Sequence, residues 1–302
     1  MAHSNPEIQQ SEEDSEPQPI DELPSLPSAE ISNFIENIRK SDTYYLSLRD
    51  QQLFKWIDFQ RDSRANGYVV AVSCADLRKA CQFYRLKYVR KRGSLHTIPM
   101  PVVYAQVQQP GSPTDLFLAI LSELSNPFTG ACQLKILRSR TWMTLSYYNV
   151  SMLMIGNAHY LSYKSFNELV EITRHLKISV ILVGSIYLHE ILTRQSKKYT
   201  DVTNTFLDWH EFGSFQKQEI APLVSSWEAQ VLDKWERRLN LASDKGVLAI
   251  LYERSGGQAE ALYEMLRKIA VFYLEKPDLT FSVSSLNTIL LTRSQPISRM
   301  LI

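Results

Sequence analysis

The sequence predicts an α/β fold in which a parallel sheet is flanked by helices and followed by a smaller helical unit. Four short apolar runs, rich in Val and Ile and bounded by Gly, Pro or Ser, are typical of buried strands. They cover residues 68–72, 102–107, 152–155 and 178–183. Helix-like segments separate the runs, and this alternation is the pattern of a doubly wound parallel sheet. After about residue 215 only helical periodicity remains.

Helical periodicity predicts where the main helices lie. The expected helices between and after the strands cover residues 77–92, 114–124, 133–148 and 165–176. Ser165 and Glu168 have the spacing of a capping box for the last of these. An earlier helix is expected from Ser41, a residue type that caps helices, to about Arg64. Two apolar stripes follow the sheet: Ile220, Val224, Trp227, Val231 and Trp235, and a second over residues 259–274.

The 302 residues divide into four segments by composition. Residues 1–28 form an acidic, Pro-rich tail that is expected to be disordered because it has too few apolar residues to offset the entropy of ordering. Residues 29–66 form an N-terminal helical segment, residues 67–214 the α/β core, and residues 215–302 a helical lid with the C-terminal segment. Residues 1–30 hold eight of the 32 acidic residues and none of the 33 Lys and Arg residues, so the remainder carries a charge of about +9.

Several classes of protein are disfavoured by composition. The three cysteines, Cys74, Cys81 and Cys132, are too few for a disulfide framework, and neither they nor the histidines have the spacing of metal ligands. No apolar run approaches the roughly 18 residues that cross a bilayer. We therefore expect a cytoplasmic protein with no metal site and no membrane partner.

In a P-loop NTPase, certain positions hold the residues that bind and hydrolyse the nucleotide. Most of these positions hold other residues in this chain. Such proteins follow the first strand with G-x-x-x-x-G-K-[ST], which binds phosphate and magnesium. This chain reads Ser-Cys-Ala-Asp-Leu-Arg-Lys-Ala over residues 73–80, in which only Lys79 matches. The third strand ends in Gly156 and Asn157, where a Walker B motif would place two acids. Ser185, after the fourth strand, has the position of a polar sensor residue or of an ordinary helix N-cap.

Six stretches in consistent order resemble one family. They are residues 98–104 (IPMPVVY), 112–117 (SPTDLF), 150–155 (VSMLMI, with Ala158 and Leu161), 178–184, 227–235 and 257–270. Over about residues 45–275 the sequence is similar to the AAA+ ATPase regulators of transposition called TnsC or TniB, including those of CRISPR-associated transposons. The resemblance implies a P-loop NTPase-like AAA+ core, with a parallel sheet flanked by helices, and a small α-helical lid.

The departures from the family imply loss of catalysis. Position by position, Ser73 and Arg78 replace the P-loop glycines, Ala80 replaces the magnesium-binding hydroxyl, and Gly156 and Asn157 replace the Walker B acids. No arginine lies in residues 205–209, where the family carries trans-acting arginines, and Glu260-Ala261 replaces a Gly-Arg sensor in the lid. An arginine finger alone contributes roughly 10³ to 10⁵ in rate. We therefore expect a pseudo-ATPase without a bound cofactor, although Arg78 and Lys79 leave ATP binding open.

A basic cluster with interleaved tyrosines is the candidate DNA-binding site. Its members are Arg85, Lys87, Arg90, Lys91 and Arg92. Such a cluster suits a phosphate backbone, but a solvated helix end carries the same charges. Residues 93–134 contain no Lys or Arg, whereas active relatives use a basic residue after the second strand to follow DNA. Gln106, Gln108 and Gln109 lie there instead.

The expected function is that of a structural adaptor or assembly regulator in a DNA transposition complex. The resemblance implies three partners: an active AAA+ homologue of the TnsC/TniB type, a TniQ-like targeting protein and a transposase, in a hetero- or homo-oligomer. One alternative is a slow ATP-dependent switch that uses Asp76 or Asn157 as a non-standard ligand. A second is a pseudo-ATPase that binds DNA through the basic cluster.

Overall fold

A five-stranded, entirely parallel sheet forms the centre of the molecule in a computed structural model. The structure describes residues 28–89, 99–125, 133–194, 196–233, 235, 239–276, 279, 285–286 and 289–290. The strands are β1 (Gly67–Ala71), β2 (Val102–Gln106), β3 (Met152–Gly156), β4 (Ser179–Ser185) and β5 (Asp208–Phe212). Their order across the sheet is β2-β3-β4-β1-β5. The predicted parallel sheet is therefore confirmed.

Helices cover the sheet on both faces, and a helical region follows it. Within the described residues the helices are α1 (Ser28–Lys40), α2 (Leu48–Ser63), α3 (Cys74–Leu86), α4 (Pro113–Glu123), α5 (Leu134–Tyr147), α6 (Tyr163–Leu176), α7 (Ile186–Thr193), α8 (Thr200–Thr205), α9 (Ile220–Val231), α10 (Lys245–Ser255) and α11 (Ala259–Glu275). None of them combines the length and apolarity that crossing a bilayer requires. The expected tail lies almost wholly outside the described residues.

The fifth strand, β5, is absent from the sequence prediction. It pairs with β1 in parallel, with Gly67 opposite Asp208 and Ala71 opposite Phe212. Because β5 is an edge strand with largely exposed side chains, it has no continuous apolar run. The usual signal of a buried strand is missing from its sequence, DWHEF, although the strand completes the sheet.

Three apolar clusters stabilise the fold. One face of the sheet packs with α4 and α6 around Phe117 and Phe166, and the opposite face packs with α2 and α3 around Leu53 and Tyr84. A separate cluster around Trp227 holds the lid together. Helix α1 contributes Ile35 and Ile38 to the lid cluster, whereas α2 packs on the sheet. The N-terminal helical segment is thus shared between lid and core.

Two predicted helix caps, Ser41 and Ser165, are wrong. Ser41 follows α1, and its hydroxyl donates to the carbonyl of Ile38 (2.7 Å), so it caps no helix. The next helix begins only after Ser47, whose backbone N–H donates to Asp50 at 2.8 Å in a capping box. Helix α6 is capped by Ser162 instead of Ser165. Ser165 lies inside the helix, and its hydroxyl donates to the carbonyl of Gly111 at 2.6 Å.

Candidate functional site: the cleft between core and lid

The connection from β1 to α3 is too short to form a phosphate-binding loop. Strand β1 ends at Ala71 and α3 begins at Cys74, so that only Val72 and Ser73 separate them. The hydroxyl of Ser73 accepts the N–H of Asp76 at 3.3 Å and caps the helix. With a cap at Ser73 and no glycine after it, the helix starts early, and the predicted start at residue 77 is wrong. Residues 74–78 are helical and cannot cradle a phosphate with their backbone N–H groups.

Lys79, the one matching P-loop residue, is neutralised within the protein. It lies in the second turn of α3, and its Nζ is 2.6 Å from Oδ1 of Asp42 and 2.5 Å from Oε2 of Glu260. The side chain is 18% exposed. Burial alone would lower the pKa of Lys79, but the two carboxylates outweigh it and raise the pKa above its ordinary value. The ammonium group of Lys79 on α3 therefore pairs with one carboxylate from the segment before α2 and with one from the lid.

Asp76 connects the core to the lid. Its side chain is 1% exposed, and its two oxygens accept the N–H groups of Ala259 at 2.8 Å and Glu260 at 2.9 Å. These two N–H groups lie in the first turn of α11, where a backbone N–H has no acceptor within its own helix. The carboxylate thus occupies the positive end of a lid helix, as a bound anion would. Both oxygens are already in use, which argues against the predicted alternative role of Asp76 as a nucleotide ligand.

Arg49 completes this network from α2. Its Nη2 lies 2.7 Å from Oδ2 of Asp76, and its Nη1 donates to the carbonyl of Gly213 at 2.9 Å. The guanidinium carbon lies 4.5 Å from the centre of the Phe212 ring. One side chain therefore joins α2, α3 and the chain leaving β5. No sequence motif pairs Arg49 with Asp76, and the sequence analysis missed it.

A second carboxylate belongs to the lid and binds a helix N-terminus of the core. Glu219, just before α9, accepts the N–H of Leu48 at the start of α2 with Oε1 (2.8 Å). Its Oε2 accepts the N–H of Gln216, also at 2.8 Å. Glu219 is 8% exposed. Each unit thus supplies an acid to a helix N-terminus of the other, and the lid is held at two points.

Little space remains in the cleft. Its residual cavity measures about 10 Å³, with Asp76, Lys79, Glu260 and Tyr263 among its lining residues. Sites for small organic ligands are usually about 300–1,000 Å³, and roughly 10–15 Å³ is needed for one water. In the described structure, the cleft is filled by side chains of the protein itself.

The positions of the Walker B acids lie at the end of β3, away from this cavity. Gly156 faces the phenol of Tyr104 on β2, so closely that a Cβ at position 156 would collide with the ring. Burial raises the pKa of Tyr104, which stays neutral. Asn157 has a left-handed backbone (φ 57°), and its side-chain amide donates to the carbonyl of Val107 at 3.2 Å. An acid at position 156 would require the ring of Tyr104 to move.

The remaining predicted nucleotide-site residues have other surroundings. Arg78 is exposed on α3, whereas Ala80 is fully buried in the cluster between α3 and the sheet. Ser185 precedes α7 as its N-cap residue, without a capping bond from its hydroxyl. The N–H of Ser185 donates to Nδ1 of His159 at 3.3 Å. Of the predicted nucleotide-site residues, Lys79 lines the cleft, together with Asp76, the alternative ligand.

The two described members of the basic cluster are engaged within the protein. Arg85 lies 2.8 Å from the carboxylate of Glu123, and the Nζ of Lys87 lies 4.3 Å from the centre of the Phe54 ring. Arg90, Lys91 and Arg92 lie outside the described residues. Among the described residues of this helix end, Arg85 and Lys87 are thus paired within the protein, and the DNA-binding site stays a prediction.

Sheet order, flanking helices and the helical C-terminal region define the class of fold. The chain has a P-loop NTPase-like AAA+ fold. Residues 69–192, from β1 to α7, match the sequence family described as an AAA domain. No match is found among curated proteins.

Several solved structures share this fold. The ORC2 protein of Aeropyrum pernix, in ADPNP–ADP complexes, aligns with a TM-score of 0.60 at 10% identity over 84% of this chain and 71% of that chain. ORC1 of the same organism, in complex with DNA, gives 0.58 at 12% identity over 85% and 68%. Cdc6p of Pyrobaculum aerophilum gives 0.56 at 13% identity over 80% and 66%. At these identities the similarity establishes the fold.

Replacing Asp76 by Asn tests the connection between core and lid. Breaking a buried ion pair costs about 3–5 kcal/mol, because it leaves a charge buried without its partner. We expect Asp76→Asn to lower the free energy of unfolding by about that amount in a urea titration. The matched control is Asp62→Asn, whose exposed pair with Arg61 contributes about 0–1 kcal/mol. Equal losses in the two variants would contradict the assignment.

His159 makes stability depend on pH. Burial lowers its pKa below the ordinary 6.5, and its Nδ1 must stay unprotonated to accept the N–H of Ser185. As the pH falls through 6.5, the unfolded chain takes up the proton first, and the free energy of unfolding decreases. We expect His159→Gln to lose less stability than wild type between about pH 7.5 and about pH 5.5. Exposed His175→Gln is the control, and equal losses in wild type and His159→Gln would refute the role.

Proposed function

We propose that the chain is a catalytically inactive AAA+ protein of the TnsC/TniB type that acts as a structural adaptor or assembly regulator in a DNA transposition complex. The observation that carries the proposal is the cleft between core and lid, which holds the internal network of Asp76, Arg49 and Lys79. The stretches of sequence that resemble transposition regulators supply the biological setting.

The chemistry of the cleft supports the absence of hydrolysis. Phosphoryl transfer depends on a phosphate cradle, a metal ion and groups that stabilise negative charge. At the equivalent positions, Ser73 caps a helix, Ala80 lies in the apolar core and Gly156 accommodates Tyr104. Each replacement has its own structural role, so restoring one motif residue would not restore the site.

The same geometry disfavours a bound nucleotide. A triphosphate in the cleft would have to displace Asp76 from the start of α11 and to approach the carboxylates of Asp42 and Glu260. Lys79, which would neutralise a phosphate, already has two acidic partners. We therefore propose that no nucleotide cofactor is needed for the lid to keep its position on the core.

A lid fixed without nucleotide suits an adaptor. A protein that keeps one shape can present the same surfaces whether ATP is present or not. We propose that it assembles in the cytoplasm with an active AAA+ homologue, a TniQ-like targeting protein and a transposase. DNA is a further candidate partner, because two proteins of the same fold, ORC1 of A. pernix and the Drosophila ORC, have structures with DNA.

Nucleotide binding is the first test of the proposal. In calorimetric titration with ATP and magnesium, we expect no binding heat for the wild-type chain or for Lys79→Ala. The expectation rests on the ion-paired state of Lys79 and on the cavity of about 10 Å³. Micromolar binding that disappears in Lys79→Ala would contradict the proposal and support the alternative of a nucleotide-dependent switch.

The adaptor role is tested by reconstituted transposition. The chain is added to an active homologue, a TniQ-like protein and a transposase of the same transposon, with donor and target DNA. We expect integration efficiency or target choice to change on its addition, and the change to persist with Lys79→Ala, since no nucleotide acts at this site. An unchanged integration pattern at saturating protein would refute the adaptor role even if nucleotide binding is absent.

A further inference from the structure

A basic groove lies at the opposite end of the sheet from the cleft. Helix α2 ends at Arg64 just before β1, and α6 ends at Lys177 just before β4. Since β1 and β4 are neighbouring parallel strands, the two helix ends lie side by side. Ser179 donates to the carbonyl of Ala65 at 2.6 Å, and Asn66 accepts the N–H of Val180 at 2.9 Å. These bonds fix the spacing of the two ends.

The groove consists of two neighbouring cavities of about 390 and about 350 Å³, both lined by Asn204. Their lining contains five cationic side chains, no carboxylate and no aromatic ring. The cations are Arg64, Arg174, Lys177, Arg194 and Lys197. All five are exposed. The charged residues of this lining thus have one sign, whereas acids and bases are mixed in the lining of the cleft.

Most of the five cationic side chains are available to bind a ligand. Arg174 pairs with Glu171 at 3.2 Å and with Asp201 at 3.4 Å, and both are weak pairs between exposed side chains. Within the described part of the chain, the other four cations have no acidic side chain at ion-pair distance. The nearby hydroxyls of Thr173 and Thr205 donate to backbone carbonyls, so their protons are in use. The cations are therefore the groups available to an anion.

The two central cations occupy a strained backbone conformation. Arg64 has φ 54° and Lys177 has φ 52°, the left-handed region in which helix C-terminal positions usually carry Gly. A residue with a side chain is strained there. Attraction of an exposed cation to the helix C-terminus offsets only part of this strain. Local stability thus does not account for a basic residue at both positions.

We propose that this groove binds the phosphate backbone of a nucleic acid. Two neighbouring cavities with spaced cations fit a chain of phosphates better than one isolated anion. Without an aromatic ring in the lining there is no surface for base stacking, so binding through the groove is independent of sequence. The groove and the cleft lie at opposite ends of the strands, and a nucleic acid bound here leaves the lid in place.

DNA binding is measured by fluorescence polarisation. The chain is titrated into labelled DNA duplexes of two unrelated sequences at several salt concentrations. The test variant is Arg64→Gly/Lys177→Gly, which removes two cations and places Gly where the backbone favours it, so folding is not compromised. The control variant, Arg85→Ala/Lys87→Ala, removes the same charge from the predicted basic cluster on α3.

We expect the groove variant to bind both duplexes about tenfold more weakly or worse, and its salt dependence to fall by about 1.8 in log–log slope for two lost phosphate contacts. The control variant should bind like wild type. Wild-type affinity in the groove variant, or a selective loss in the control, would overturn the proposal. So would displacement of the duplex by inorganic pyrophosphate at equal phosphate concentration, which would assign the groove to a small free anion.

Discussion

The carboxylate of Asp76 is the constraint on which the arrangement of core and lid depends. Taking a carboxylate out of water costs several kcal/mol, and two N–H groups at the start of α11 and the guanidinium of Arg49 offset this cost. Neither the lid nor α2 can move away without leaving a buried charge unpaired. Glu219 adds the reciprocal contact, from the lid to the start of α2. The relative position of the two units is therefore set by charges within the chain.

The positions that depart from the P-loop and Walker B motifs each serve the packing of this structure. Ser73 starts α3 early, Ala80 fills the core between α3 and the sheet, and Gly156 leaves room for the ring of Tyr104. These roles are local and independent of one another. The packing of the AAA+ fold thus uses these positions for contacts within the protein.

Charge is distributed unequally between the two ends of the parallel strands. At their carboxyl ends, acids and bases are matched in the cleft, as the pairs of Lys79 with Asp42 and Glu260 illustrate. At their amino ends, the groove around Arg64 and Lys177 carries cations without acids in its lining. Eight of the 32 acidic residues and no Lys or Arg lie in the first 30 residues, so the rest of the chain carries a charge of about +9. A nearly neutral sequence therefore forms a body with a strongly basic surface at one end.

The sequence by itself determined four of the five strands, their parallel alternation with helices and the helical character of the lid, because hydrophobic periodicity is a property of neighbouring residues. Only the tertiary structure decided the rest. β5 is recognisable as a strand only through its pairing with β1. The starts of α2, α3 and α6 depend on which Ser finds an N–H to cap. The closure of the cleft depends on Asp76 meeting Ala259, 183 positions further along the chain. Contacts between distant residues leave no local pattern, and the unpaired N–H groups of a helix end are satisfied by whichever acid the fold brings to them.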